Sequence, residues 1–165
     1  MRSSRRSTAT LSLLLLFSGG AGAGVIQTDP QNLVAFTVPD GWVAKSSSNG
    51  IRFGRADAPA ERTVLSVSAG PRDPKRDLKA LRAIRQSQVR QQEFSLVIDK
   101  VEQLNGWEAW ESVTDATRGG EGPIMHTFLL FSQDIQADVS LIAAKADYPR
   151  YKEDLLAVAR SLRKK

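Results

Sequence analysis

The chain has no cysteine, a single histidine and no apolar run long enough to cross a bilayer. The absence of cysteine excludes a disulfide framework, a thiol nucleophile, a thiolate metal site and a lipid-modified N-terminal cysteine. One histidine, His126, excludes paired-histidine metal motifs and leaves a single imidazole for any general-base mechanism. The longest apolar stretch, Leu11 to Phe17, is broken by Ser12 and falls far below the ~20 residues of a membrane-spanning helix. There is no N-x-S/T sequon and no internal repeat. What is present, 165 residues of which 41% are apolar and 25% charged, suits one globular domain and not two.

The first 23 residues read as a leader. Arg2, Arg5 and Arg6 form a basic start, Leu11 to Phe17 an apolar centre, and Ala21-Gly22-Ala23 a small-x-small cleavage pattern. The bulky apolar residues of a twin-arginine signal do not follow Arg5-Arg6, so the general secretory route is expected. Cleavage near Ala23 assigns residues 1–23 to a signal peptide and 24–165 to a single domain, periplasmic or secreted. It removes three arginines and no acid, which lowers the formal charge from +5 to +2. Arg160, Arg163, Lys164 and Lys165 hold four of the remaining positives at the C-terminus. The body carries no concentrated basic face, so a nucleic-acid partner is not expected. The terminal cluster suits a helix C-terminus. It could also touch an anionic membrane weakly.

Residues 33–38 alternate as a strand, and Pro39-Asp40-Gly41 is turn chemistry that predicts a hairpin into Trp42-Val43-Ala44. Residues 51–53 and 63–69 read as strands, the second with Leu65, Val67 and Ala69 toward the core. Asp73 is a candidate N-cap, with Pro74 at the first position of an amphipathic helix over 74–92 carrying Leu78, Leu81, Ile84 and Val89. Four long strands follow, at 94–104, 107–117, 124–131 and 138–145. Asn105-Gly106 predicts a two-residue hairpin turn between the first two. The strand at 124–131 is apolar on both faces, which marks it as central. A last helix begins near Asp147, with an apolar stripe of Tyr151, Leu155, Val158, Ala159 and Leu162. The fold class expected is α+β, a layered sandwich whose mainly antiparallel sheet is covered by the internal and C-terminal helices.

Few residues form a reactive set. Ser66-Val67-Ser68-Ala69-Gly70 narrowly misses G-x-S-x-G: a serine stands where the elbow needs glycine, and Pro71 to Asp73 separate strand from helix. A Ser68–His126 pair is the one serine-hydrolase arrangement available. His126 lies among apolar neighbours and reads first as a structural histidine, with Glu111 or Asp115 within cross-strand reach. Alternation sends Glu108 opposite to Glu111 and Asp115, so these acids read as strand-surface polarity. Gly120-x-Gly122 lacks the third glycine of a dinucleotide fingerprint and precedes a strand. Trp107 and Trp110, of opposite parity, point to opposite faces. One is expected in the core, and the other beneath a second layer or exposed as a contact residue; both are kept as partner-binding candidates. No catalytic residue, metal site or cofactor is assigned.

Phe36-Thr37-Val38-Pro39-Asp40-Gly41-Trp42, the helix near 74–92, the Asn105-Gly106 hairpin and the closing helix ending in Ser161-Leu162 together resemble the PsbP-like superfamily. That group includes the extrinsic photosystem II protein, a Ran-binding import factor and bacterial DcrB-type envelope proteins; the character here is nearest the last. The resemblance spans nearly all of residues 31–163. It implies a non-enzymatic scaffold, chaperone or adaptor. The expected function is therefore an exported, non-catalytic domain that binds a protein partner in the cell envelope or supports an envelope assembly. The alternatives are a small hydrolase using Ser68 and His126 or surface carboxylates, and a secretion-type chaperone for apolar segments.

Overall fold

The computed structural model describes residues 24–165 apart from 48–49, 59–61, 76, 119 and 121; the leader read in residues 1–23 lies outside the described residues. In chain order the elements are β1 (Val25–Thr28), β2 (Val34–Val38), β3 (Trp42–Ser47), β4 (Gly50–Arg55), β5 (Thr63–Pro71), α1 (Leu78–Gln91), β6 (Ser95–Leu104), β7 (Trp107–Asp115), β8 (Pro123–Phe131), β9 (Ile135–Ala144), α2 (Tyr148–Ser161) and β10 (Arg163–Lys164). Seven strands make one antiparallel sheet in the order β3-β4-β5-β9-β8-β7-β6, and β1-β2-β10 make a small second sheet. The α+β layered sandwich expected from the sequence is the architecture found.

Strand alternation decides which side chains meet. On one face of the large sheet, Phe53, Leu65, Leu141, Val139, Phe128 and Ala109 are buried beneath α2 and β2. From above, α2 contributes Tyr151, Leu155, Val158 and Ala159, its apolar stripe, and β2 contributes Val34, Phe36 and Val38. We call this the covered face. Complete burial of a leucine such as Leu155 stabilises by about 2–3 kcal/mol relative to exposure. On the opposite face α1 packs Leu78 and Leu81 onto Trp110, Leu129 and Phe131. This helix reaches only the β6-β7-β8 end, so β3, β4, β5 and much of β9 carry no helix on that side. We call it the open face.

Several local expectations are corrected. β2 and β3 do not form a hairpin: β2 pairs with β1 and β10, and β3 pairs with β4. Pro39-Asp40-Gly41 instead carries the chain from one sheet to the other. Gly41 has φ +84°, which favours glycine, and a Cβ there would lie 2.7 Å from the Arg55 guanidinium, which would have to shift. The guanidinium in turn lies over the rings of Trp42 and Tyr151. The helix N-cap is Asp77, whose Oδ1 accepts from the Ala80 N–H at 2.6 Å, and not Asp73. Asp73 accepts from the Lys75 N–H in a local turn, while the Arg72 N–H still bonds the Asp134 carbonyl beside the sheet. Ile84 is exposed; Arg82 and Gln86 take the sheet-facing positions by donating to Asp99. Asp147 precedes α2 without a side-chain cap bond.

Two elements escaped the sequence reading. Asp29, buried, accepts from the N–H groups of Gln31, Leu33 and Val34 and so shapes the β1–β2 connection. The basic C-terminus is partly structural: Arg163 and Lys164 pair with β2, Lys164 Nζ reaches Asp134, and Lys165 Nζ reaches Asn32.

Candidate functional site

The tryptophans lie on opposite faces, and neither is exposed. Trp107 is 2% accessible on the covered face, and its Nε1–H donates to the Leu162 carbonyl at 3.3 Å. Trp110 is 1% accessible beneath α1, and its Nε1–H donates to Asp99 Oδ1 at 2.8 Å. Both have the second layer over them, so neither is the exposed contact residue that one of them was expected to be. Trp110 instead organises α1. Asp99 accepts from Trp110, Arg82 and Gln86 together, and the Arg82 hydrogen bonds hold its carboxyl down at about 2.

His126 and Ser68 cannot form a catalytic pair. His126 is in register with Leu141 and Leu65, on the covered face, whereas Ser68 lies opposite Asp138 and Leu129 on the open face. The imidazole is 2% accessible and fully engaged. Its Nε2 lies 2.9 Å from Glu111 Oε1, and its Nδ1 lies 2.9 Å from the Tyr148 hydroxyl. A carboxylate at Glu111 requires Nε2 to carry the proton, so Nδ1 accepts from Tyr148. Burial pushes the histidine below its ordinary value, and the Glu111 charge only partly offsets this. The arrangement ties the first turn of α2 to β7 and β8. Asp115 is held by Lys145 and Thr117, and Glu108 faces the other side, so the strand acids do not form an opposed pair. Among the described residues, no group of three or more His, Cys, Asp or Glu side chains could hold a metal.

The open face carries what the sequence reading missed. One in-register row runs Val43, Gly54, Val64, Ile142 and Met125. Val43 is 58% exposed and Ile142 42% exposed. The next row places Lys45 and Arg52 beside Ser66, Ser140 and Thr127, and neither cation has a carboxylate partner among the described residues. A third row brings Ser68, Asp138 and Leu129 together next to α1. There a cleft of about 310 Å³ opens between Leu81 of α1 and Ser68, Gly70, Leu129, Phe131 and Asp138. Ser140 Oγ donates to Asp138 Oδ1 at 2.7 Å and lies 3.0 Å from Ser66 Oγ. Ser140 has one proton to give, so Ser66 donates to it in turn. Desolvation pushes the Asp138 carboxyl above its ordinary value, against the Ser140 hydrogen bond and the charge of Arg85. A strand aspartate between Ala137 and Val139 reads in sequence as surface polarity. Only the packing of α1 alongside β8 turns it into the wall of a cleft.

No known family model matches the chain, and no curated protein matches it. Solved structures do. The cyanobacterial PsbP (CyanoP) of Synechocystis sp. PCC 6803 superposes with a TM-score of 0.62 at 13% identity, over 93% of this chain and 99% of that one. The fold is PsbP-like. LpqN of Mycobacterium tuberculosis, described as involved in cell envelope biogenesis, superposes with a TM-score of 0.62 at 12% identity, over 88% of this chain and 92% of that one. A protein from Bacteroides thetaiotaomicron VPI-5482 gives a TM-score of 0.58 at 17% identity, over 87% of this chain but 49% of that one, so this chain matches only about half of it. Identities this low speak for the fold alone. They agree with the resemblance read from the Pro39–Trp42 turn and the Asn105-Gly106 hairpin. Among the described residues, no helix of this PsbP-like domain is long and apolar enough to cross a membrane.

Proposed function

We propose that the chain is an exported, non-catalytic domain that binds a protein partner in the cell envelope or supports an envelope assembly. The observation that carries this reading is the uneven cover of the large sheet. The groups a hydrolase would need are separated by the sheet or engaged by each other, while half of the open face offers Val43 and Ile142 to solvent. Val43, Val64 and Ile142 lie in one continuous row across the strands, and it is contiguous apolar surface rimmed by polar side chains that marks interaction sites. The flanking Lys45 and Arg52 select a partner segment that brings acidic side chains alongside apolar ones. The leader in residues 1–23 and the envelope role named for LpqN support the location.

A photo-crosslinking residue placed at Ile142 is expected to capture the partner in intact cells. The same residue at Glu153, exposed on the far side of α2, is expected to capture nothing specific. Equal capture from both positions contradicts the assignment of the surface. A His126→Gln protein that folds normally yet loses all cellular function contradicts the non-catalytic reading.

A further inference from the structure

Three features of the cleft beside α1 point to a ligand chemistry. The first is an acid in its wall. Asp138 is half-buried, and its carboxylate has one hydrogen-bond partner, Ser140, among the described residues; Oδ2 has none. A carboxylate that is largely desolvated, with one oxygen still reachable from the cleft, is completed by a charge-assisted donor. The second is the apolar lining that adjoins it, Leu81, Leu129 and Phe131. The third is the size. About 310 Å³ is at the low end for small-molecule sites, which begin at ~300 Å³, and suits one long side chain. Gly70 borders this space; a Cβ there would meet no atom within 4 Å and its φ lies outside the left-handed range, so a side chain can be placed there to fill the cleft.

We propose that this cleft is a socket for an alkylammonium group, the lysine side chain of a protein partner, with Asp138 as its counter-ion and Leu81 and Leu129 packing on the methylene stem. The inference deepens the partner-binding reading and rests on it for the source of the amine. Arg85, on α1, lies near enough for its charge to act on Asp138 but forms no ion pair with it among the described residues. It stands as a competing cation at the rim.

The test uses purified protein and amide chemical shifts at Ser68, Gly70 and Asp138. N-acetyl-lysine N-methylamide and n-pentylamine are expected to shift these signals saturably, and N-acetyl-norleucine N-methylamide, which keeps the stem without the charge, is expected not to. Asp138→Asn should weaken amine binding about tenfold or more. Arg85→Gln should tighten it about threefold by removing the competing charge. Gly70→Leu should fill the cleft and block binding with the melting midpoint retained. Absence of saturable shifts with either amine overturns the socket. So does preferred binding of pentanoate, strengthened by Asp138→Asn and weakened by Arg85→Gln, which marks an anion site. The source is read separately, with a photo-crosslinker at Gln136 in intact cells. Loss of its partner crosslink in Asp138→Asn supports a partner lysine. A crosslink that persists unchanged overturns the lysine assignment alone. No crosslink from Gln136 or Ile142, with amine binding intact, overturns the partner reading and assigns the socket to a free amine.

Discussion

The two faces of the seven-stranded sheet are built from the same strands with opposite outcomes. On the covered face, α2 and β2 close over an apolar layer in which Leu65, Leu130, Leu141 and Leu155 have no exposure at all. On the open face, α1 spans only one end and grips it with a mixed set: Leu78 and Leu81 on Trp110, and Arg82 and Gln86 on Asp99. The covered face has the composition of a core. The open face alternates apolar, cationic and hydroxyl-bearing rows, with a cleft at the helix edge. Stability should therefore concentrate on one side and recognition on the other.

The sharpest way to break this division is to cut into each layer. Leu155→Ala, at a fully buried α2 position, should cost about 3–5 kcal/mol through lost burial and the cavity left behind. Chemical denaturation measures this directly. A cost below ~1 kcal/mol would mean that α2 is not the main lid.

Next in size is the hairpin that joins the β6 edge to the rest. Asn105 and Gly106 have φ of +50° and +84°, as the sequence predicts for this turn. The Asn105 side-chain N–H also donates to the Arg160 carbonyl, which ties the turn to α2. No atom lies within 4 Å of a Cβ built on Gly106, so Gly106→Val acts through backbone strain alone and should cost about 1–2 kcal/mol. Gly106→Asn should cost clearly less, since asparagine tolerates the left-handed region. Equal melting midpoints for the two variants would refute the strain argument.

Smaller again is the histidine link. His126→Gln keeps a donor toward Glu111 but loses the Tyr148 contact, for about 1 kcal/mol. The pH dependence is more telling. Burial lowers the folded-state value below that of the unfolded chain, so the folded protein favours neutral imidazole. The stability this gives is complete above the unfolded value of ~6.5 and is lost as pH falls toward the folded one. The charged groups facing the ring or its partner are Glu111, Lys152 and Lys100, so the slope depends on salt. Urea midpoints between pH 7.5 and 5 should fall for the wild-type protein. His126→Gln should flatten that part of the curve.

How much of this was legible depended on the range of the interaction that decides it. Period-two strands, the Asn105-Gly106 turn and the α2 stripe are local patterns, and they were read correctly. The Pro39-Asp40-Gly41 turn was local too, but the sheet that β2 joins is decided by β1 and by β10, more than 120 residues away in register with Ala35. The helix start moved because both Asp73 and Asp77 carry a capping carboxylate, and Asp73 closes a local turn on the Lys75 N–H while Asp77 caps the helix. The opposite faces of Trp107 and Trp110 followed from parity alone. Their burial did not, since it depends on where α1 and the C-terminal residues settle. The reach from His126 to Glu111 was legible from cross-strand geometry, while Tyr148 was out of view. Asp138 carried no signal of its own, because a lone aspartate in a strand becomes unusual only when a helix packs beside it.

The smallest expected effect is also the one that most directly separates the faces. Ile142 lies on β9 between Leu141 and Ala143, both fully buried, yet its own side chain points out of the open face and is 42% exposed. Ile142→Thr keeps the β-branched shape suited to a strand and removes part of an apolar surface that water already wets. Its stability should change by no more than about 0.5 kcal/mol, as for surface substitutions without a special role. Partner capture from a crosslinker at Val43, on β3 in the same row, should nevertheless fall several-fold, because the row loses the apolar side chain that β9 exposes. If Ile142→Thr destabilises by ~2 kcal/mol or more while capture is unaffected, the open face is a second core face, and the contrast between the two sides is lost.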